Sequence, residues 1–220
     1  MSGYEWDFRA ALLHPELWLK ALSFTLGYAA VTTVLGLLLG VICGMILLSK
    51  YWIFRAPVSG FVQVFRCTPL LIQLIWFYYA LPVALNLTIP AWLAAGMGMT
   101  LYMAAFSAEI FRAGIMSIDR GQWHAARAIG MMSWQVMYRI VLPQATRRMM
   151  PPFVNQSVLQ LKNTSLLSII AVPELTYTSQ IFVSDTFRPL EIYTVLGAVY
   201  LVILYPMQKW AKMLERRDDI

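Results

Sequence analysis

Charged residues are scarce in this chain of 220 residues, at 13% of the sequence, whereas hydrophobic residues make up 60%. Soluble domains have about 25% charged and about 45–50% apolar residues, so this composition excludes a soluble globular domain. The aromatic content of 14%, with 8 tryptophans, is typical of helices that lie in lipid with rings at the interface. The sequence therefore predicts an integral membrane protein.

Cysteine and histidine are also rare, with two residues of each. Cys43 and Cys67 lie in or beside apolar runs, and His14 and His124 are far apart in the sequence. We therefore expect neither a disulfide framework nor a metal site. The net charge of +6 would suggest nucleic-acid binding in a soluble protein, but membrane proteins gather basic residues in cytoplasmic loops. No nucleic-acid partner is expected.

Long uncharged stretches predict five transmembrane helices. Ala21–Ser49 has no charge over 29 residues, and a span needs about 20. Cys67–Ala108 is too long for one span and is interrupted by Pro82, Asn86 and Pro90, which predicts two helices joined by a short turn. The expected fold class is all-α, a single polytopic membrane domain. Its predicted parts are an interfacial segment 1–20, spans at about 21–49, 58–81, 91–115, 152–172 and 192–208, and a coupling loop at 117–147.

Basic residues set the predicted orientation, because cytoplasmic loops carry an excess of Lys and Arg. They follow the first span, fill the loop between the third and fourth spans, and follow the last span. These three segments are therefore predicted to be cytoplasmic, with the N-terminus outside and the C-terminus inside. The basic residues concerned are Lys50, Arg55, Arg112, Arg120, Arg127, Arg139, Arg147, Arg148, Lys209, Lys212, Arg216 and Arg217.

Glycine recurs at every fourth position of the first span, at Gly36, Gly40 and Gly44. This spacing predicts a face on which another helix comes close. The partner helix belongs either to the same chain or to a second copy. Five spans barely enclose a gated solute pathway, so pairing with another copy or with a relative is expected.

The predicted loop is amphipathic between Gly121 and Pro143. Its small residues include Ala125 and Ala126, and glycines at 121 and 130 are predicted to open and close a short helix. Small side chains let another protein approach the helix backbone, which favours docking. The same composition fits an interfacial helix lying on lipid headgroups.

The residues of this loop resemble the EAA loop of ABC importer permeases. His124-Ala125-Ala126 is followed after three residues by Gly130 and after nine more by Ile140–Pro143, which is the spacing of that motif without gaps. The resemblance covers about Leu22–Arg217 and is to the polar amino-acid branch of the family. Three further motifs carry it, namely Phe65–Leu71, Ala108–Ile115 and Leu161–Leu166.

The resemblance implies one membrane half of an importer in the bacterial inner membrane, which moves a polar amino acid by alternating access. The implied partners are ABC ATPase subunits, a second permease subunit, identical or homologous, an amino-acid-binding protein outside the membrane, and the lipid bilayer. ATP and Mg would bind to the ATPase, because this sequence has no G-x-x-x-x-G-K-[ST] phosphate loop. No cofactor and no catalytic residue are expected in this chain. The implied coupling residues are Gly121, Gln122, His124, Ala125, Ala126, Gly130, Leu142 and Pro143.

His124 departs from the family pattern, which has Glu at this position. A carboxylate would suit the start of a helix and could meet a basic residue of the ATPase. A neutral imidazole can still donate or accept a hydrogen bond. We therefore expect docking to persist with altered strength.

Polar side chains within spans are candidates for a solute pathway, because hydrocarbon penalises them unless they face a cavity or a partner. In the fourth span, one broad face carries Gln156, Gln160, Asn163, Thr164 and Ser168, while Asn155 and Lys162 form a second edge. Such donors and acceptors near a cation suit a zwitterionic solute, with acidic or amide amino acids such as glutamate, aspartate or glutamine favoured. The alternative is that these side chains bond to neighbouring helices. The candidate pathway residues are Gln73, Asn155, Gln156, Gln160, Lys162, Asn163, Thr164, Ser165 and Ser168.

Arg66, Glu109 and Arg112 lie near the predicted cytoplasmic ends of the second and third spans. Glu109 and Arg112 are three residues apart and share a helix face. One interpretation is a structural ion cluster. The other is a cytoplasmic gate whose ion pairs rearrange during transport.

Two other functions compete with the importer subunit. An ATP-independent small channel or homo-oligomeric carrier would not depend on Ala125, Ala126 or Gly130. A membrane-embedded enzyme would need paired carboxylates, a Ser/His pair or a metal within the spans. Glu109 is the only acidic residue inside the predicted boundaries, so the sequence favours the importer subunit.

Overall fold

A computed structural model of the chain describes residues 4–9 and 14–218, with side chains as far as Leu214. The described residues contain helices and no β-strand, which confirms the predicted all-α class. Residues 1–3 and 10–13 of the predicted interfacial segment lie outside the described residues, as do the side chains of Arg216 and Arg217. The helices from Pro15 onward are α1 (Pro15–Leu47), α2 (Trp52–Cys67), α3 (Leu70–Leu85), α4 (Ala91–Met116), α5 (Arg120–Ala128), α6 (Ser133–Ile170), α7 (Leu175–Thr186) and α8 (Pro189–Asp218).

Three of the described helices are long and apolar enough to cross a membrane, namely α1, α4 and α8 up to Leu214. Two further pairs pass the same test together, α2 with α3 and α6 with α7. Each pair is bent by more than 40° at a short break. The described chain therefore offers three candidate spans, or up to five if each bent pair is one span.

The predicted second span, 58–81, is broken at Thr68 and Pro69. Proline has no backbone N–H and biases the preceding residue toward extended backbone. Thr68 accordingly has φ −105° and ψ 138°, and α2 ends at Cys67. The Thr68 N–H and hydroxyl both donate to the carbonyl oxygen of Val64, at 3.1 and 2.7 Å. Two helices therefore stand where the sequence predicted one.

Pro151 and Pro152 do not begin a helix, although the predicted fourth span starts at this pair. The segment Leu142–Asn163 is a continuous α-helix that runs through both prolines. Buried side chains on either side, Met149 and Val154, hold it in the core of the fold. Burial on both sides offsets the hydrogen bonds that the prolines remove.

The chain divides into two compact units. The first comprises residues up to Thr32, Leu70–Met99 and Val158–Met207. The second comprises Thr33–Pro69, Thr100–Ser157 and the residues from Gln208 onward.

Glycines bring α1 against α4 within the second unit. A Cβ atom at Gly40 would lie 2.4 Å from the Cβ of Ser107 and 2.8 Å from the carbonyl oxygen of Ala104. A Cβ atom at Gly36 would lie 2.4 Å from the Cβ of Met103, and one at Gly44 would lie 2.8 Å from the Cδ1 of Phe111. The predicted close-contact face is therefore a seam inside this chain.

The first unit ties residues 4–9 to the beginning of α8 through the buried carboxylate of Glu191. The Tyr4 hydroxyl donates to Glu191 Oε2 at 2.5 Å, and the Asp7 N–H donates to Oε1 at 3.0 Å. The Arg188 guanidinium donates to the carbonyl oxygen of Glu5 at 2.8 Å. The bond to Glu191 raises the pKa of the Tyr4 phenol above its usual value, so Tyr4 stays a donor at neutral pH.

Candidate functional site

Helix α5 has a defined beginning and end. The Asp119 carboxylate accepts a hydrogen bond from the Gly121 N–H at 2.5 Å and caps the helix. A Cβ at Gly121 would lie 2.6 Å from that carboxylate oxygen, so glycine permits the close cap. Gly130 follows the helix with φ +85°, which only glycine adopts freely. The predicted short helix is confirmed, and its boundaries follow from these residues.

Asp119 is a site residue that the sequence reasoning missed. Asp directly before a helix is a strong N-cap signal, since its side chain satisfies a backbone N–H that the helix leaves unpaired. The signal was present between Ile118 and Arg120 and could have been found.

The implied coupling residues divide into an exposed and a buried set. Ala126 is only 3% exposed and lies in a core cluster with Val136, Val141 and Ala145. Leu142 is half-buried against the same cluster. The exposed members are Gly121, Gln122, His124, Ala125, Gly130 and Pro143.

Basic side chains line the outside of α5. Arg120, His124 and Arg127 are spaced by four and three residues, so they share one face of the helix. Together with Ile115 and Trp123 they line a cavity of about 480 Å³ in the second unit. This basic face is complementary to a surface that carries carboxylates.

The polar stripe of α6 faces the protein. Gln156, Gln160, Thr164 and Ser168 follow one another at intervals of four residues, and all are buried. Gln160 is fully buried, and its Nε2 donates to the carbonyl oxygen of Met99 at 2.9 Å. The Thr164 and Ser168 hydroxyls donate to carbonyl oxygens of their own helix. Gln160 therefore bonds to a neighbouring helix, the alternative that the sequence left open.

The second predicted edge of α6 is the accessible one. Asn155 and Lys162 are exposed, and Ser165 near Lys162 is half-buried, as is Asn163 of the first face. Lys162, Ser165 and Tyr193 line a cavity of about 370 Å³ in the first unit. Gln73, in contrast, is buried. The accessible polar groups of α6 thus lie on the edge that carries the cation.

Thr176 and Tyr200 line the same cavity and belong to a network of hydroxyl hydrogen bonds. Tyr200 OH lies 3.4 Å from the Thr176 hydroxyl and donates to Glu174 Oε2 at 3.3 Å. The buried Glu174 carboxylate also accepts the N–H groups of Thr176 and Tyr177, at 2.8 and 2.7 Å, and so caps α7. The sequence reasoning missed this wall, because Thr176 and Tyr200 approach α6 only in the folded chain.

The three predicted ion-cluster residues meet in the second unit. Arg112 donates through Nε to Glu109 Oε2 at 3.0 Å and through Nη2 to Oε1. Arg66 Nη1 lies 3.9 Å from Glu109 Oε2. The Arg66 guanidinium also stands over the Phe106 ring, 5.7 Å from its centre. The Glu109 carboxylate therefore forms salt bridges with two arginines, and Arg112 is its closer partner.

The chain is similar to known proteins along nearly its whole length. The family profile described as "Binding-protein-dependent transport system inner membrane component" matches residues 36–218. The chain is 33% identical over 217 residues to the glutamine transport system permease protein GlnP of Escherichia coli strain K12, covering 98% of this chain and 99% of that protein. It is 36% identical over 220 residues to the probable amino-acid ABC transporter permease protein PatM of Vibrio harveyi, covering 96% of each.

A solved structure has the same fold. The crystal structure of an amino acid ABC transporter with histidines superposes with a TM-score of 0.91 and 30% sequence identity. The match covers 97% of this chain and all of that one.

Proposed function

Since this chain belongs to the family of binding-protein-dependent transport system inner membrane components, we propose that it is the permease subunit of an ABC importer for a polar amino acid. The observation that carries the proposal is similarity over the full length to relatives named as amino-acid permeases. The fold shared with an amino acid ABC transporter supports it.

The exposed face of α5 is the proposed docking surface for the ATPase subunit. Gln122, His124 and Ala125 are exposed there, and Gly121 and Gly130 limit the helix. Ala126 and Leu142 have a supporting role, because their side chains anchor the segment in the core of this chain. ATP and Mg bind to the partner, and closure of the ATPases drives alternating access through this helix.

The proposed location is the bacterial inner membrane, with α5 on the cytoplasmic side, the N-terminus outside and the C-terminus inside. The distribution of Lys and Arg supports this orientation. A solute-binding protein docks outside, and a second permease subunit, identical or homologous, completes the pathway.

The solute contacts are proposed for the accessible edge of α6. Lys162 would attract the carboxylate of an acidic or amide amino acid, and Asn155 and Ser165, with the half-buried Asn163 of the neighbouring face, would supply neutral hydrogen bonds. The Tyr200 hydroxyl faces the same cavity. Glutamine, glutamate and aspartate are the solutes that this edge favours.

The cluster of Arg66, Glu109 and Arg112 is the proposed cytoplasmic gate. The closer Glu109–Arg112 pair would hold while the longer contact to Arg66 opens and closes.

Uptake by reconstituted transporter tests the function. The complex of permease and co-purifying ATPase is placed in vesicles with the binding protein, and uptake of labelled glutamine and glutamate is measured with and without ATP. Uptake that needs ATP supports the importer, whereas equal uptake without ATP supports an ATP-independent carrier.

The Lys162→Met variant tests the solute edge. We expect the KM for glutamate to rise about tenfold, because a charge-assisted hydrogen bond is lost. The matched control is Lys209→Met, which replaces an exposed lysine of α8. An unchanged KM for every solute in Lys162→Met would remove Lys162 from the pathway.

A further inference from the structure

Arginines line a second cavity, which is separate from the solute edge of α6. It has a volume of about 350 Å³ and lies in the second unit between α2 and α4. Arg55, Ser59 and Arg66 are spaced along α2 so that they share one face of this helix. The polar side chains of this arginine cavity are Arg55, Ser59, Gln63, Arg66, Glu109 and Arg112.

The charges in the arginine cavity do not balance. Three guanidinium groups and one carboxylate line the cavity, which leaves a net charge of +2. Glu109 is engaged by Arg112 and reaches Arg66 only at 3.9 Å. Within the described residues Arg55 makes no salt bridge. Like charges that face one cavity repel each other, so an anion placed between Arg55 and Arg66 would be stabilised.

Phosphate is the anion that these side chains fit. The planar guanidinium presents paired N–H donors that match two phosphate oxygens. Ser59 and Gln63 add a hydroxyl and an amide N–H₂ without adding charge. The site therefore offers Arg55, which has no salt bridge within the described residues, Arg66, which reaches Glu109 only at 3.9 Å, and two neutral donors.

The other face of α2 points to the source of the phosphate. Ile53, Phe54 and Val64 lie on that face and are 66%, 63% and 59% exposed. A helix with a basic face and an apolar, aromatic face suits the headgroup boundary of a membrane. We propose that the arginine cavity binds the phosphate of an anionic phospholipid headgroup, with the acyl chains along the apolar face of α2. The proposal needs a membrane location but no particular solute.

Lipid binding to the full chain tests the site. The chain is purified in detergent with its co-purifying subunits and titrated separately with phosphatidylglycerol, phosphatidylcholine and inorganic phosphate. Bound molecules are counted by native mass spectrometry. We expect Arg55→Gln to weaken phosphatidylglycerol binding about tenfold, because one charge-assisted contact is lost. The matched control is Arg139→Gln, an exposed arginine outside the cavity, and we expect it to bind like the wild type.

A second variant guards against a folding defect at Arg55. Gln63→Glu adds a negative charge to the cavity wall and should weaken phosphatidylglycerol binding in a chain with an unchanged melting temperature. Equal phosphatidylglycerol binding in wild type, Arg55→Gln and Gln63→Glu would overturn the proposal. Binding of inorganic phosphate that needs Arg55, with no preference for phosphatidylglycerol over phosphatidylcholine, would reject the lipid and leave a free-anion site.

Discussion

Gln160 is the clearest case of a polar residue whose role depends on which way its helix face points. Its Nε2 donates to the Met99 carbonyl oxygen at 2.9 Å and to Thr32 Oγ1 at 3.4 Å. Within the described residues its Oε1 has no partner. Leucine at this position would lose two bonds but would also remove an unpaired buried oxygen.

The Gln160→Leu variant should therefore lower the free energy of unfolding by about 1 kcal/mol and leave the KM for transport unchanged. Thermal unfolding of the purified chain and uptake kinetics in vesicles measure the two effects. A raised KM at unchanged stability would instead make Gln160 a solute contact.

At the scale of residues, sequence periodicity predicted which side chains share a face but not which face is buried. Gln160 and Lys162 were both candidates on the same helix, and only Lys162 is accessible. Ala126 belongs to the implied coupling motif, yet its side chain packs into the core of its own chain. Such assignments depend on neighbouring helices that one segment of sequence does not contain.

At the scale of helices, the close contact between α1 and α4 predicts that a large side chain in the seam destabilises the fold. Gly40→Leu should lower the free energy of unfolding by about 1–3 kcal/mol, because the new side chain would overlap Ser107 and the Ala104 backbone. The control is Gly27→Leu on the same helix, where a Cβ meets no atom within 4 Å. Helical circular dichroism during heating reports both variants. Equal melting temperatures would contradict a tight seam.

Helix type followed from sequence more reliably than helix ends. The uncharged run after Ala21 predicted α1, and the glycine spacing predicted its contact face. Proline did not mark helix ends consistently. Pro69 lies at a break between two helices, whereas Pro151 and Pro152 lie inside a continuous helix. The exposed Pro57 also lies inside a helix, so neither the residue type nor its exposure tells the two cases apart.

At the scale of the whole molecule, the basic face of α5 predicts how the assembly responds to charge. Arg127→Glu should reduce the ATPase retained on the purified chain by about tenfold at low salt, and by less at high salt, because exposed charges are screened. The amount of ATPase that co-purifies with the tagged permease measures this. Arg147→Glu serves as the control, since Arg147 is exposed but lies outside this face. The same loss in both variants would argue against a specific acidic partner surface.

The family and the overall architecture were accessible from the sequence, because four motifs in order identify the permease family without any contact information. The hydroxyl wall of Thr176 and Tyr200, which the buried Glu174 supports, was not accessible, since it joins residues far apart in the chain.

The segmented composition of the first unit has a consequence for biosynthesis. Thr25 accepts the backbone N–H of Leu175 at 3.1 Å, and Glu191 accepts the N–H of Asp7 at 3.0 Å. The residues that leave the ribosome first therefore cannot form these hydrogen bonds until the last quarter of the chain has been synthesised. Gly36, Gly40 and Gly44 meet their α4 partners after far less of the chain has been made. The α1–α4 seam can consequently form while translation continues, whereas the first unit closes only near its end.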